Sequence, residues 1–207
     1  VLARDGWDSG PQLRFFKALL ETEYEVDIVV LVYVLNDIAD IVKEWNETLD
    51  RIYNAPEPGF LVQNSYLFNT IYFRFVAFND PDVSNYYEFV RDNYKGPVWV
   101  QQQARLKAYR DEVTKHGGQL LVVTFPFMHS LGADNQYLPI HENLDRFWDD
   151  LQVPHLDLTK AFESHLSSSL VVNKFDTHPN EKAHGIAAKA IDEFVKQQMK
   201  STVEIGN

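Results

Sequence analysis

Residues 26–37 read VDIVVLVYVLND and decide the class of fold. Apolar residues, most of them β-branched, follow one another there with little alternation between apolar and polar positions. That pattern is typical of a strand covered on both faces, as in a parallel sheet flanked by helices. The strand ends at Asn36 and Asp37, and ligands of open α/β sheets bind outside the carboxyl ends of the strands.

Further strands and helices alternate along the chain. Residues 119–125, QLLVVTF, form a second apolar run, and residues 155–158 predict a third, short strand. Helical periodicity predicts helices after Pro11 and over 99–116, 140–151 and 181–199. This alternation predicts an α/β fold, a doubly wound three-layer α/β/α sandwich with mostly parallel strands. No linker interrupts residues 1–207, so we expect a single domain.

Residues 41–98 predict an aromatic-rich helical insertion in that domain. A helix over 41–53 is followed by the breaker sequence NAPEPG. Residues 67–78 then hold five Phe or Tyr side chains. They indicate a buried helix or a cap over a cleft, and burial in the core is the commoner outcome for such a cluster.

Composition excludes several classes of function. The 207 residues carry a net charge of −11, so a nucleic acid or an anionic membrane is not an expected partner. There is no cysteine, which excludes a disulfide, a thiolate metal site and a Cys nucleophile. The longest apolar run, 28–35, is far too short to span a bilayer, and no signal peptide is visible. We expect neither a cofactor nor a metal.

The chemistry is predicted at residues 175–180, FDTHPN, just before the last helix. Asp176 lies two residues before His178, and the sequence predicts a loop for both. A carboxylate beside an imidazole can fix its tautomer and stabilise its protonated form, which makes a general-base dyad. The structural alternative is an Asx turn at Asp176 with His178 as a surface residue.

Three stretches together resemble the signature blocks of the SGNH hydrolase (GDSL-like esterase/lipase) superfamily. Gly6, in DGW, resembles the block whose backbone amide contributes to an oxyanion hole. Asn36, in LND, resembles the block whose side chain completes that hole. Asp176 and His178, in DTHPN, resemble the block of the catalytic acid and base. The resemblance implies a flavodoxin-like sheet and an ester hydrolase or acyltransferase.

The sequence departs from this family at its nucleophile. No Gly-Asp-Ser motif precedes Gly6, and Ser9 follows it, so Ser9 is interpreted as a loop or helix-capping residue. Val34 replaces a usual glycine, and the acid and base are one residue closer than is common. We expect residues 1–207 to be a C-terminal portion of a longer protein. The N-terminal strand and helix of the fold, with the nucleophilic serine, would then lie upstream of these residues.

The resemblance implies a small-molecule or carbohydrate ester as substrate, for example an acetylated sugar, a short-chain ester or a lipid. The spelling Asp-Thr-His is similar to that of relatives that handle acetyl groups on exopolysaccharides, which favours an extracytoplasmic or cell-envelope location. The alternative is a non-catalytic carbohydrate-binding or scaffold module on the same fold. A flavodoxin-like nucleotide or flavin binder is disfavoured because no Gly-rich phosphate loop is present.

Overall fold

The computed structural model describes residues 7–22, 24–132 and 135–205, with side chains described as far as Lys200. The helices are α1 (Ser9–Leu20), α2 (Lys43–Tyr53), α3 (Phe60–Asn64), α4 (Tyr66–Asn79), α5 (Pro81–Ser84), α6 (Tyr86–Asn93), α7 (Pro97–Lys115), α8 (Leu138–Asp150), α9 (Thr159–Phe162) and α10 (Glu181–Ile205). Two 3₁₀ helices cover Leu35–Ile41 and Ser167–Ser169.

The central sheet contains the three predicted strands. They are β1 (Ile28–Val34), β2 (Gln119–Phe125) and β3 (His155–Asp157), in the order β1-β2-β3. Both pairings are parallel, and β1 lies beside β2 along its whole length. The α/β class with parallel strands is therefore confirmed, in a chain that is mostly helical.

A second, two-stranded sheet was not predicted. Strands β4 (Val171–Asn173) and β5 (Asp176–Pro179) pair antiparallel, so Asp176 and His178 lie on a strand and the predicted loop is wrong. The cause is Asn173, whose side-chain oxygen accepts hydrogen bonds from the N–H groups of Phe175 and Asp176 at 2.8 and 3.1 Å. This Asx turn reverses the chain and brings the second strand back onto the first.

Strand β2 separates two clusters of buried side chains. Leu120 and Val122 belong to a cluster with residues of α1, α6, α7 and α8. Val123 and Phe125 belong to another cluster with residues of α9 and α10. Because successive side chains of a strand point to opposite faces, β2 is covered on both sides, as its apolar sequence predicts.

Strand β1 is less covered than its sequence predicts. Val30 and Val32 are 36% and 41% exposed. In the described ranges β1 pairs only with β2, so its other edge is open. A groove of about 580 Å³ runs beside this edge, lined by side chains of α1 and β1. The prediction of a strand covered on both faces is wrong here, because no element in the part that the structure describes covers the face that carries Val30 and Val32.

Helix α4 also differs from its prediction. The sequence favours burial of residues 67–78 in the core, yet none of the residues of α4 is buried. Its backbone is helical as expected. Apolar composition predicted an apolar environment, and the described part of the chain does not supply one.

The partly buried carboxyl of Asp8, just before α1, allows this packing to be tested by varying the pH. Burial, and then the charge of Asp40, raise the pKa of Asp8 to about 6, although Arg105 opposes the rise. The folded state thus binds a proton more tightly than the unfolded state, so this contribution to stability is complete below about pH 4 and is lost as pH rises through 6.

We therefore expect Asp8→Asn to raise the melting temperature at pH 7.5 and to leave it unchanged at pH 4. A gain of about 1 kcal/mol, discounted for partial exposure, corresponds to roughly 2–4 °C in a chain of this length. Calorimetry at both pH values measures the difference. Asp50→Asn, on the exposed side of α2, is the matched control, and an equal response of the two variants would contradict the assignment.

Candidate active site

Asn36 is the second residue of the 3₁₀ helix that follows β1, and the residues on either side of it fix its position. The Tyr94 hydroxyl donates a hydrogen bond to the Leu35 carbonyl at 2.8 Å. The Ser9 hydroxyl donates to the Asp37 carbonyl at 2.9 Å. The side chain of Asn36 itself is half-buried and is not part of these bonds. Its position at the carboxyl end of β1 is therefore set by the buried groups beneath it.

Those buried groups form one connected network. The Gln102 amide donates to the Ser9 hydroxyl at 3.0 Å and to the Tyr33 hydroxyl at 3.1 Å. The hydroxyls of Tyr33 and Tyr94 are 2.5 Å apart. Ser9 is fully buried, as the first residue of α1. Ser9 is thus a structural residue, but it is neither the loop nor the capping residue that the sequence indicated, because Asp8 occupies the cap position and the Ser9 hydroxyl binds Asp37 and Gln102.

Asp37 is also structural. Its carboxylate accepts a hydrogen bond from the Val34 N–H at 3.1 Å, which closes the turn around Asn36. Burial raises the pKa of Asp37 well above its usual range, and the bond from Val34 only partly opposes that rise. Asp37, the residue beside Asn36, therefore holds the turn.

The second motif has the geometry of an oriented base. His178 Nδ1 lies 2.7 Å from Asp176 Oδ1, and the His178 backbone N–H donates to the same oxygen at 3.1 Å. These two bonds, the ring bond first, hold the pKa of Asp176 below its usual range. The short Asp-x-His spacing succeeds because residues i and i+2 of a strand point to the same face.

The other ring nitrogen of His178 is available. The side chain is 88% exposed, and Nε2 makes no hydrogen bond to any residue that the structure describes. A neutral imidazole with Nδ1–H directed at a carboxylate presents Nε2 as the proton acceptor. This is the tautomer that a general base requires.

Two other histidines also contact carboxylates but cannot play this role. His155 uses both ring nitrogens, one 2.7 Å from Asp145 and the other 2.7 Å from the Thr124 hydroxyl. Its side chain is only 4% exposed. Both contacts tie β3 to its neighbours, so His155 serves the fold.

His141 lies 3.1 Å from Asp157 and is 2% exposed. Burial alone would raise the pKa of Asp157, but the neighbouring His141 and the hydrogen bond from the Thr159 N–H together outweigh it, and the pKa is lowered. This pair is closed to solvent. Of the three acid–imidazole pairs in the described part of the chain, only that of His178 can reach a ligand.

Two adjacent residues of helix α6 each contact one of the two motifs. Burial raises the pKa of Tyr86 to about 12, and the nearby Asn36 side chain opposes that rise. The neighbouring Tyr87 hydroxyl lies 2.9 Å from the hydroxyl of Thr177, between Asp176 and His178. Two consecutive residues of one helical turn thus contact both motifs, although no direct bond joins Asn36 to His178.

Sequence analysis missed the tyrosines of α6 and one further histidine, His129. The ring centroid of His129 lies 4.1 Å from that of Tyr87 and 5.5 Å from that of Phe127. Burial lowers the pKa of His129, which favours the neutral ring. Its position shortly after the carboxyl end of β2 is the signal that could have indicated it.

The remaining predicted groups are not brought together. Gly6 lies outside the described residues. In residues 7–22, 24–132 and 135–200, no serine or threonine hydroxyl hydrogen-bonds the ring of His178. No group of three His, Asp or Glu side chains in the described part could hold a metal ion.

No family model, no curated protein and no solved structure matches this chain.

Exposure gives a test that separates His178 from His155. We expect His178→Ala to leave the free energy of unfolding within about 0.5 kcal/mol of the parent, as for most surface changes. His155→Ala should cost roughly 1–3 kcal/mol because it leaves the buried Thr124 hydroxyl without its partner. Urea titrations of both variants measure this, and equal destabilisation would contradict the distinction.

Proposed function

We propose that this chain carries the base and oxyanion side of a serine-dependent ester hydrolase or acyltransferase of the SGNH type. The observation that carries the proposal is the open imidazole of His178, oriented by Asp176 at 2.7 Å. Asn36 supports it, because its amide stands at the carboxyl end of β1 and reaches the same turn of α6.

In the proposed reaction His178 first accepts a proton and then donates it. His178 Nε2 takes the proton of a serine hydroxyl as that oxygen attacks the ester carbonyl carbon. The ionised Asp176 stabilises the imidazolium that forms. The imidazolium then gives its proton to the leaving alcohol oxygen as the carbon–oxygen bond of the ester breaks. Water, or a second alcohol in a transferase, repeats the steps on the acyl-enzyme.

Negative charge develops on the carbonyl oxygen, and fixed donors lower the barrier most when they need not move. The buried bonds to Leu35 and Asp37 hold Asn36 in this way. Gly6, by its resemblance, would add a backbone N–H. Removing one such donor in comparable sites lowers kcat by about 10²–10³.

We place the serine on a strand from upstream that pairs with the open edge of β1. The free backbone of β1 and the 580 Å³ groove beside it support this placement. A strand parallel to β1 would end at the same rim as Asn36, where ligands of such sheets bind. The complete domain would then be a three-layer α/β/α sandwich with a flavodoxin-like sheet.

The substrate that we propose is a small-molecule or carbohydrate ester, with an O-acetyl sugar as the first compound to assay. The second candidate is a non-catalytic carbohydrate-binding or scaffold module. It is favoured by one observation, namely that no hydroxyl nucleophile contacts His178 in the described residues. Binding of an acetylated oligosaccharide without turnover would select this candidate.

The test uses the natural full-length protein with a p-nitrophenyl ester. We expect His178→Ala to lower kcat by about 10²–10⁴, as for loss of a general base. Asn36→Ala should lower kcat by about 10²–10³ with little change in KM, since the donor acts on the transition state.

The control is His184→Ala, which removes another exposed histidine. His184 lies in the first turn of α10, with its ring centroid 6.2 Å from that of Phe125 at the carboxyl end of β2. The kcat of this variant should equal that of the parent. Unchanged turnover in His178→Ala would exclude the proposed base. A fall in kcat that is equal in all three variants would indicate a general loss of structure.

A further inference from the structure

Helices α3 and α4 form a hairpin, residues 60–79, that is apolar yet exposed. Eleven large apolar side chains between residues 60 and 78 are more than a third exposed, including Phe60 at 76%, Tyr66 at 90% and Phe78 at 82%. Contiguous apolar surface of this kind on a protein marks an interaction site. The question is which partner fits it.

The distribution around α4 distinguishes between partners. At 3.6 residues per turn, its exposed apolar side chains span roughly 260° of the helix circumference. A helix bound in a protein groove presents a one-sided stripe at i, i+3, i+4 and i+7. A helix that is apolar on nearly every side needs an apolar medium around it. Lipid supplies such a medium around most of the circumference of α4, with the remaining side left for the rest of the protein.

Charge and length point to the same partner and limit its depth. Between Glu57 and Asp80 the only charged residue is Arg74. The 14 residues of α4 reach about 21 Å, less than the hydrocarbon thickness of about 30 Å. No helix in the described part of the chain is long and apolar enough to cross a membrane. Tyr and Phe side chains suit the boundary between headgroups and hydrocarbon.

We propose that the α3–α4 hairpin docks this protein onto a neutral phospholipid surface, lying in the interface without crossing it. Burial of apolar side chains drives the binding. The net charge of −11 disfavours anionic headgroups, so zwitterionic lipid is the partner. This docking does not rest on the esterase proposal.

The hairpin adjoins the candidate active site. The Arg74 guanidinium carbon lies 3.9 Å from the ring centroid of Phe175, which directly precedes Asp176. Phe175 and Val172 of the β4–β5 hairpin are themselves 64% and 53% exposed, so the apolar surface continues towards His178. A lipid surface bound to α4 would therefore lie beside the exposed imidazole.

The test is sedimentation of the full chain with vesicles of phosphatidylcholine alone and of phosphatidylcholine with phosphatidylglycerol. We expect binding to the first at least as tight as to the second, with little dependence on salt. Phe75→Ser combined with Phe78→Ser should lower the partition coefficient roughly tenfold or more, from lost apolar burial. Both positions are exposed, so the melting temperature should not change.

The matched control is Tyr24→Ser, which removes an aromatic side chain that is 67% exposed before β1, at the opposite end of the strands. It should bind as the parent does. Failure of the parent to bind phosphatidylcholine would overturn the proposal, as would equal binding by the double variant. A parent dimer that the double variant abolishes, without vesicle binding, would assign the hairpin to a second copy of this chain instead.

A second measurement reports on depth. Phe78→Trp adds an indole at the most exposed phenylalanine of α4, and its fluorescence should be quenched by phosphatidylcholine brominated on its acyl chains. Absence of quenching above the level of the parent tryptophans would contradict insertion of the hairpin, even where the protein sediments with vesicles.

Discussion

The candidate site depends on the buried hydrogen bonds beneath the end of β1. A strand end is a flexible place for a catalytic donor, because the backbone there leaves the sheet ladder. Here Tyr94 and Ser9 bind the carbonyls of Leu35 and Asp37, and Gln102 joins the two donors into one network. Buried groups that are all satisfied have one arrangement, since any other leaves a polar group unpaired. The backbone position of Asn36 is therefore fixed by this network.

The proposed base, His178, is held by local contacts and not by a buried network. Asp176 and His178 stand on a short exposed strand, and their mutual geometry is local, with one carboxylate oxygen accepting both the ring and the backbone N–H. What is not local is the placement of this strand, to which the Tyr87–Thr177 contact contributes. Helix α6 thereby contacts both the buried turn that holds Asn36 and the exposed strand that carries His178. The exposure of His178 distinguishes it from His141 and His155, which chemistry alone would not do.

The sequence predicted the parts of the fold that follow from local pattern. The apolar runs at 28–34 and 119–125 are strands, and the helices at 97–115, 138–150 and 181–205 follow their periodicity. It did not predict β4 and β5, because the turn that pairs them depends on one side chain, Asn173, outside any apolar pattern.

Long-range packing set the other limits of prediction. The sequence shows that residues 67–78 are mostly apolar, but it does not show whether other parts of the protein bury them. The motifs around Asn36 and His178 were recognisable, since each is short and continuous. The contacts of these motifs with Tyr86 and Tyr87 could not be predicted. They join residues 50 to 90 positions apart, and a local sequence pattern carries no information about such contacts.

The uncovered side of β1 has a consequence for how the chain behaves on its own. Seven consecutive residues, IVVLVYV, carry no charge and no proline that would discourage another chain from adding to them. Such a segment is a template for intermolecular β-pairing and for fibril growth. In the described residues this edge has no strand beside it, so self-association of the protein through β1 is the expected route to aggregation.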